Sequence, residues 1–243
     1  MRIYGIIVIV FGLLAGSLHA DTVVLNPIQD STIYQDNVGN SNGGGEFFFA
    51  GQNGGASPRR GLIQFDLSAI PAGSVITGVT FDLFASQVSS PDDVDVSFHR
   101  LTSAWGESPD SNPGGGEGGG TAAATGDATW NHTFFDDQLW TTQGGDFIAD
   151  ASATTTVSTT GAYSWSSAGL IDDVQGWLDG SISNYGWIGI GDETVAATAK
   201  RFNSRTNGSN VPTLTVQFSA IPEPGSACLV SVLTLGLISR RRR

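Results

Sequence analysis

Short runs of alternating apolar and polar residues occupy the middle of the chain. Ile63 and Phe65 fall on one side of such a run, with Gln64 and Asp66 on the other. Val79, Phe81 and Leu83 alternate with Thr80, Asp82 and Phe84; Val94, Val96 and Phe98 with Asp95, Ser97 and His99; Leu214, Val216 and Phe218 with Thr213, Thr215 and Gln217. Successive side chains of a strand point to opposite faces, so this period of two predicts strands with one face on a core. Further strands are expected at residues 22–25, 31–34, 47–50, 163–166 and 186–190, between Gly, Asn, Ser and Pro clusters. One segment has the helical period: Leu170, Val174 and Leu178, with Ile171 and Trp177 beside them. Ser167 is placed to cap it, Asp172 and Asp173 to favour its positive end, and Gly180 to terminate it. Many short strands and one helix, with no tandem repeats, predict an all-β domain built as a two-sheet β-sandwich.

The two ends break this pattern. Met1-Arg2 precedes an apolar stretch from Ile3 to Leu14, and small residues follow at Ala15, Gly16, Ser17 and Ala20. Residues 1–20 therefore read as a secretory signal peptide, cut after Ala20 or after Ser17. At the other end Pro222-Glu223-Pro224 leads into an apolar run from Ala227 to Ile238 and then Arg240 to Arg243. The prolines stop the preceding strand, the apolar run prefers hydrocarbon, and the arginines stay on the cytoplasmic side. As a helix, residues 225–239 span about 22 Å against about 30 Å of hydrocarbon. That is short for a permanent anchor and sufficient for a transient stop in the inner membrane.

What remains, residues 21–220, has the size of one large all-β domain. Of the 11 basic and 23 acidic residues, Arg2, the four terminal arginines and Glu223 fall outside it, leaving 6 against 22 and a net charge of −16. Such a surface repels phosphate backbones, so no nucleic-acid partner is expected. Cys228, the only cysteine, lies in the tail, which leaves the domain without disulfides, thiolate metal sites or a cysteine nucleophile. Two segments read as surface loops: residues 37–45, and residues 107–126, whose Gly114–Gly120 run is broken only by Glu117. The second contains G-x-G-x-x-G without a strand-to-helix setting, and is expected to be a mobile insertion rather than a phosphate cradle.

The order of motifs is also informative. Asp30-Ser31-Thr32-Ile33-Tyr34 is followed by the first glycine loop, and then by Arg59 through Phe65-Asp66-Leu67-Ser68 to Pro71-Ala72-Gly73-Ser74. Trp105-Gly106-Glu107, Thr129-Trp130, Trp140 with Gly144-Gly145-Asp146, and Val174-Gln175-Gly176-Trp177 come next. Arg201-Phe202-Asn203-Ser204-Arg205 and Pro212-Thr213-Leu214-Thr215-Val216 close the series. Over residues 22–218 this resembles the DNRLRE domain family, β-sandwiches of jelly-roll type akin to carbohydrate-binding modules. Relatives carry an acidic residue after the Ser-Arg pair, where this chain has Thr206. The tail, residues 221–243, resembles the PEP-CTERM sorting signal of exopolysaccharide-producing Gram-negative bacteria, with Pro222-Glu223-Pro224 as its eponymous motif. The resemblance implies recognition by an exosortase, removal of the tail, and delivery to the cell surface or the extracellular polysaccharide matrix.

Three sets of residues are candidates for binding. Trp140 and Tyr185 stand among Asp, Gln, Asn and Gly, a setting for an exposed aromatic on which a sugar ring stacks; wall packing is the other reading. Trp105, Trp130 and Trp177 are expected to be core plugs or loop anchors. Arg59, Arg60, Lys200, Arg201 and Arg205 are five of the six basic residues of the domain. On adjacent strands they would form a positive strip, through which Arg60, Arg201 and Arg205 bind uronate carboxylates of an acidic polysaccharide. The other reading pairs them with neighbouring aspartates. Asp30, Asp36 and Asn40, with Asn42, surround a glycine loop, and a hard cation takes six to eight oxygen ligands. A structural calcium is one reading of this set, as jelly-roll carbohydrate modules often hold one near the first strand; a solvated acidic loop with Asx-turns is the other.

Catalysis finds little support. The domain has two histidines, His99, expected to face solvent, and His132, and neither H-E-x-x-H nor G-x-S-x-G. The function expected is a non-catalytic, exported carbohydrate-binding protein. The alternative is a structural or adhesive matrix component without a defined sugar site, and the third reading is a glycan-active enzyme.

Overall fold

The computed structural model describes residues 20–220. The expected leader up to residue 19 and the whole sorting tail, with Pro222, Glu223 and Pro224, lie outside the described residues. The elements in chain order are β1 (Ala20–Leu25), β2 (Pro27–Tyr34), β3 (Asn40–Ser41), β4 (Phe47–Gln52), β5 (Pro58–Phe65), β6 (Val75–Val88), β7 (Val94–Arg100) and β8 (Thr121–Ala122). They continue with β9 (His132–Phe134), β10 (Gln138–Leu139), β11 (Ala153–Val157), β12 (Gly161–Trp165), α1 (Ala168–Leu178), β13 (Trp187–Ile190), β14 (Lys200–Asn203) and β15 (Thr213–Ser219). The chain is mostly β, as expected. All the strands foreseen from alternation are present. The Thr-rich β11 and the basic β14 were not foreseen, because neither has a clear period of two. Among the described residues no helix is long and apolar enough to cross a membrane.

The strands pair antiparallel into one sheet of eleven, in the order β1-β15-β6-β14-β4-β5-β13-β7-β11, with β12 on β6 and β2 on β5. The sheet curls at β4. Residues 47–50 of that strand pair with β14, whereas Gly51 and Gln52 pair with β5. Gly51 has φ 110, and an added Cβ would come 3.0 Å from the backbone of Thr198 and Ala199, so only glycine fits this corner.

The curl places the apolar face of β6 against those of β5, β7 and β13. Phe81 stands between them, its ring 4.8 Å from Phe98, 5.6 Å from Phe65 and 6.0 Å from both Trp165 and Trp187. On β6, Val79 faces Val216 and Gly78 faces Gln217, but Ile76 faces Phe218, so Thr77 is an extra residue. This bulge lets Ile76 and Val79 both enter the core despite their odd spacing.

Helix α1 closes the core on the β6 side, burying Leu170, Val174 and Trp177. Ser167 caps it, its hydroxyl accepting from the Leu170 amide, and Gly180 follows the end with φ 67. Both were expected. Asp172 and Asp173 lie beyond the first turn and do not serve its positive end. Asp173 turns inward instead, accepting from Arg100 Nε at 2.9 Å and from Trp187 Nε1 at 2.8 Å.

A second apolar cluster covers the other face of β2, β5 and β13. Ile33, Leu62 and Ile188 meet Leu101, Trp105, Ala128, Trp130 and Trp140, which come from the loop-rich segment between β7 and β11. Leu62 and Ile63, neighbours in one strand, are therefore both fully buried on opposite faces.

Candidate functional site

On β14, Phe202 points into the core, so Arg201 beside it points out. Its cross-strand partners are Phe49 of β4 and Gln87 of β6, which places the three side chains in one row on the outer face. Above this row lies a hollow of about 280 Å³, lined by Phe49, Gln87, Ser89, Arg201, Arg59 and, from the glycine-rich loop, Glu117 with its two flanking glycines. The floor is thus sheet and one wall is loop.

That loop is docked, contrary to the mobile insertion expected from its composition. Glu117, 6% exposed and in the left-handed region at φ 60, is the anchor. Its carboxylate accepts from the amides of Glu46 at 2.9 Å and Phe47 at 3.0 Å, and from Asn42 Nδ2 at 3.1 Å. Tyr34 Oη donates to the Glu117 carbonyl, Arg59 Nε to that of Gly118, and Asn40 Nδ2 to that of Gly119. β8, just beyond, pairs with β3. Glycines supply the backbone shape, and one acidic side chain fastens the loop by accepting from two partly buried amides and from Asn42.

The guanidinium groups differ sharply in how far they are used. Arg60 is bidentate to Glu193, at 2.7 Å on both bonds, donates to the Gly144 carbonyl at 2.8 Å, and lies over the Trp130 ring at 4.9 Å. Arg205 pairs with Glu107 at 2.8 Å, Arg59 with Asp36 at 3.1 Å, and Arg100 with Asp173. Lys200 is fully buried, its ammonium held by the carbonyls of Ser90 and Asp92. The expected positive strip is therefore not formed. β4 separates β5 from β14, and three of its arginines, Arg59, Arg60 and Arg205, are paired with carboxylates. Arg201 differs. Its Nε donates to Ser86 Oγ at 3.1 Å and its Cζ lies 3.8 Å from the centre of the Phe47 ring, with no carboxylate partner among the described residues. Burial pushes its pKa down, the Glu117 charge pulls it up, and a guanidinium stays charged at any physiological pH.

The expected sugar platform is not presented to solvent. Trp140 is 5% exposed, because it fills the second cluster and donates from Nε1 to the Thr129 carbonyl at 2.8 Å. Tyr185 packs against the same cluster, and its carbonyl accepts from Trp105 Nε1 at 2.9 Å. The two residues share a cluster as packing rather than as a stacking surface. Trp105, Trp130 and Trp177 are buried, as expected. His99 is half-buried, with Nδ1 3.1 Å from the Ile148 carbonyl and its ring against Phe147.

Nor do the expected calcium ligands converge. β2 runs extended from Asp30 to Tyr34, about 13 Å at about 3.3 Å per residue, and Asp36 follows in the bend after the strand ends. Asp36 is held by Arg59, Asn40 by the Gly119 carbonyl, and Asp30 by the Arg205 amide at 2.6 Å. Asp30, Asp36 and Asn40 do not make one ligand set, and among the described residues no group of three or more His, Cys, Asp or Glu is placed to hold a metal ion. Asp30 belongs instead to a buried network. Its amide donates to Glu107 Oε1 at 3.2 Å, and Glu107 holds Arg205. Burial pushes the Asp30 carboxyl up to about 7 against the pull of the Arg205 amide, and burial pushes Glu107 up as well. Thr206, at the position where an acidic residue was expected, hydrogen-bonds the Gly45 carbonyl.

Gln87, Ser89 and Phe49 gave no signal in the sequence, being uncharged and in no motif. Glu117 was visible only as the single interruption of a glycine run. No protein-family model matches the chain, and no curated protein matches it.

Proposed function

We propose that this chain is an exported, non-catalytic carbohydrate-binding protein of the cell surface or the extracellular polysaccharide matrix, with a jelly-roll-type sandwich of the DNRLRE kind as its folded domain. The observation that carries this reading is the hollow over β4, β6 and β14. It joins the edge of a mostly buried ring, Phe49, to Gln87 and Ser89, whose side chains make no hydrogen bond among the described residues, beside the Arg201 guanidinium, which has no carboxylate partner among them. Sugars present apolar C–H faces and hydroxyls together, and small-molecule sites are apolar hollows with a few placed polar groups. The curled antiparallel sheet is compatible with a jelly roll. The signal peptide and the Pro222-Glu223-Pro224 tail, read from sequence, support export and exosortase processing, with a transient stop in the inner membrane.

A glycan array probed with the full chain tests the reading. The Gln87 side chain is exposed and makes no hydrogen bond among the described residues, so Gln87→Ala should leave stability within about 0.5 kcal/mol and weaken any glycan bound. Binding unaffected by Gln87→Ala would move the site elsewhere. The second reading, a structural matrix component, is favoured by the burial of Trp140 in a second core with the half-buried Tyr185 packed against it, and an array without any signal would select it. Changing Pro222, Glu223 and Pro224 to alanine tests the sorting route: the variant should stay unprocessed in the inner membrane, and normal release would refute exosortase handling.

A further inference from the structure

The five arginines among the described residues divide four to one. Arg59, Arg60, Arg100 and Arg205 each have a carboxylate within 3.1 Å, and Arg201 has none. In a domain with 22 acidic residues this is a positional fact, not a shortage of partners. The contrast is sharpest inside the hollow, which Arg59 and Arg201 line together. All three donor groups of Arg59 are taken, Nε by the Gly118 carbonyl, Nη1 by that of Ser57 and Nη2 by Asp36. Arg201 spends only Nε, on Ser86, and its plane is held by Phe47. Its Nη1 and Nη2 groups find no acceptor among the described residues. A guanidinium with this free edge offers the planar fork that fits a carboxylate with two parallel bonds.

We propose that the hollow takes a carboxylate-bearing sugar, a uronate residue of an acidic glycan, with its carboxylate on the free edge of Arg201, its hydroxyls on Gln87 and Ser89, and its ring against Phe49. This rests on the carbohydrate-binding reading and narrows it to one ligand chemistry. Glu117 lines the same hollow, but its oxygens are occupied by the Glu46 and Phe47 amides and by Asn42, so it does not take the place of the ligand carboxylate. The −16 charge of the domain opposes a polyanion at long range. That repulsion is screened beyond about 8 Å at physiological ionic strength, whereas a partly buried contact pair is screened much less. Salt weakens both effects, so the test varies the ligand charge instead.

The test is calorimetric titration of the full chain with a short oligogalacturonate and with the same oligosaccharide after its carboxyls are reduced to alcohols. Expected is binding of the acid form, at least about tenfold weaker binding of the reduced form, and a similar loss for the acid form in Arg201→Gln, as charge-assisted hydrogen bonds require. Arg201→Lys keeps the charge without the fork and should fall between the two. Melting curves and circular dichroism show whether each variant is folded. Should Arg201→Gln unfold, the comparison of the two oligosaccharides on wild type decides alone. Equal binding of the two forms, or binding of the acid form unchanged in folded Arg201→Gln, overturns the uronate assignment and leaves carbohydrate binding standing. No binding of either form, together with a blank glycan array, overturns both.

Discussion

Replacing Asp30 by Asn removes a proton-binding group from the interior, and the effect should depend on pH. Asp30 is 1% exposed. Burial lifts its carboxyl from 3.8 to about 7; the Arg205 amide and guanidinium oppose the rise, and the charges of Glu107 and Glu117 add to it. Between those two values the folded state holds a proton that the unfolded chain has released. Stability must therefore fall as pH rises across that window: the contribution is full below 3.8 and gone above about 7. At about 1.4 kcal/mol per pH unit the whole interval is worth on the order of 4 kcal/mol, about 3 of it between about pH 4.5 and 7.5. Glu107 and Asp127, lifted by burial, act in the same direction. Asp36, Asp66, Asp146 and Asp192, held below their ordinary range, lose their contributions only as pH falls below about 4. The assay is urea unfolding of wild type and Asp30→Asn at about pH 4.5 and about pH 7.5, with linear extrapolation. Asn keeps a carbonyl oxygen for the Arg205 amide, so the native bond survives. The wild type should lose about 3 kcal/mol more than the variant between the two conditions. Equal losses in the two proteins would refute a proton held at Asp30.

Phe81→Ala should destabilise by about 3–5 kcal/mol in urea unfolding, since four aromatic rings surround it; a loss under about 1 kcal/mol would place it outside the core. Trp140→Ala should cost a similar amount while leaving glycan affinity unchanged, and affinity lost without stability would restore the exposed platform. Gly186→Ala should lower the melting temperature by several degrees, because φ is 75 there and an added Cβ would sit 2.0 Å from the Ile63 carbonyl oxygen. Melting with a chelator and with millimolar calcium tests the cation site: a calcium-dependent rise abolished by Asp30→Asn would support it, and equal temperatures would leave the loop as a solvated acidic one.

The parts of this fold that sequence disclosed are those fixed by local periodicity. β6, β7 and β15 each have one buried face, so their alternation is plain, and the helix carries its own Ser167 cap and Gly180 stop. Sequence was silent where burial is decided by distant segments. β5 is covered on both faces, so Leu62 beside Ile63 breaks the alternation. Trp140 sits among polar neighbours in sequence, yet it belongs to the buried cluster that includes Leu62 and Ile188, so local composition misstated its exposure. Pairing of charges is equally non-local: Arg60 and Glu193 are 133 positions apart. The clustering of basic residues in two short segments was real, but which of them remained unpaired depended on the loop and strand ends brought beside each one.

That dependence also explains why the hollow exists at all. Glu117 is the carboxylate whose charge acts on Arg201, and in a flexible glycine loop it would swing toward the guanidinium and quench it. Three donors, two backbone amides and Asn42, instead hold its oxygens toward β4. Those amides are partly buried, so removing Glu117 takes away their acceptor at the start of β4 and unpins the loop. One side chain therefore serves two ends: it satisfies the edge of the hollow and keeps a negative charge from closing it. A glycine run with a single acidic residue at its centre is the composition such a wall requires. The glycines allow the loop to lie flat over the sheet, and the acid decides where it is fastened.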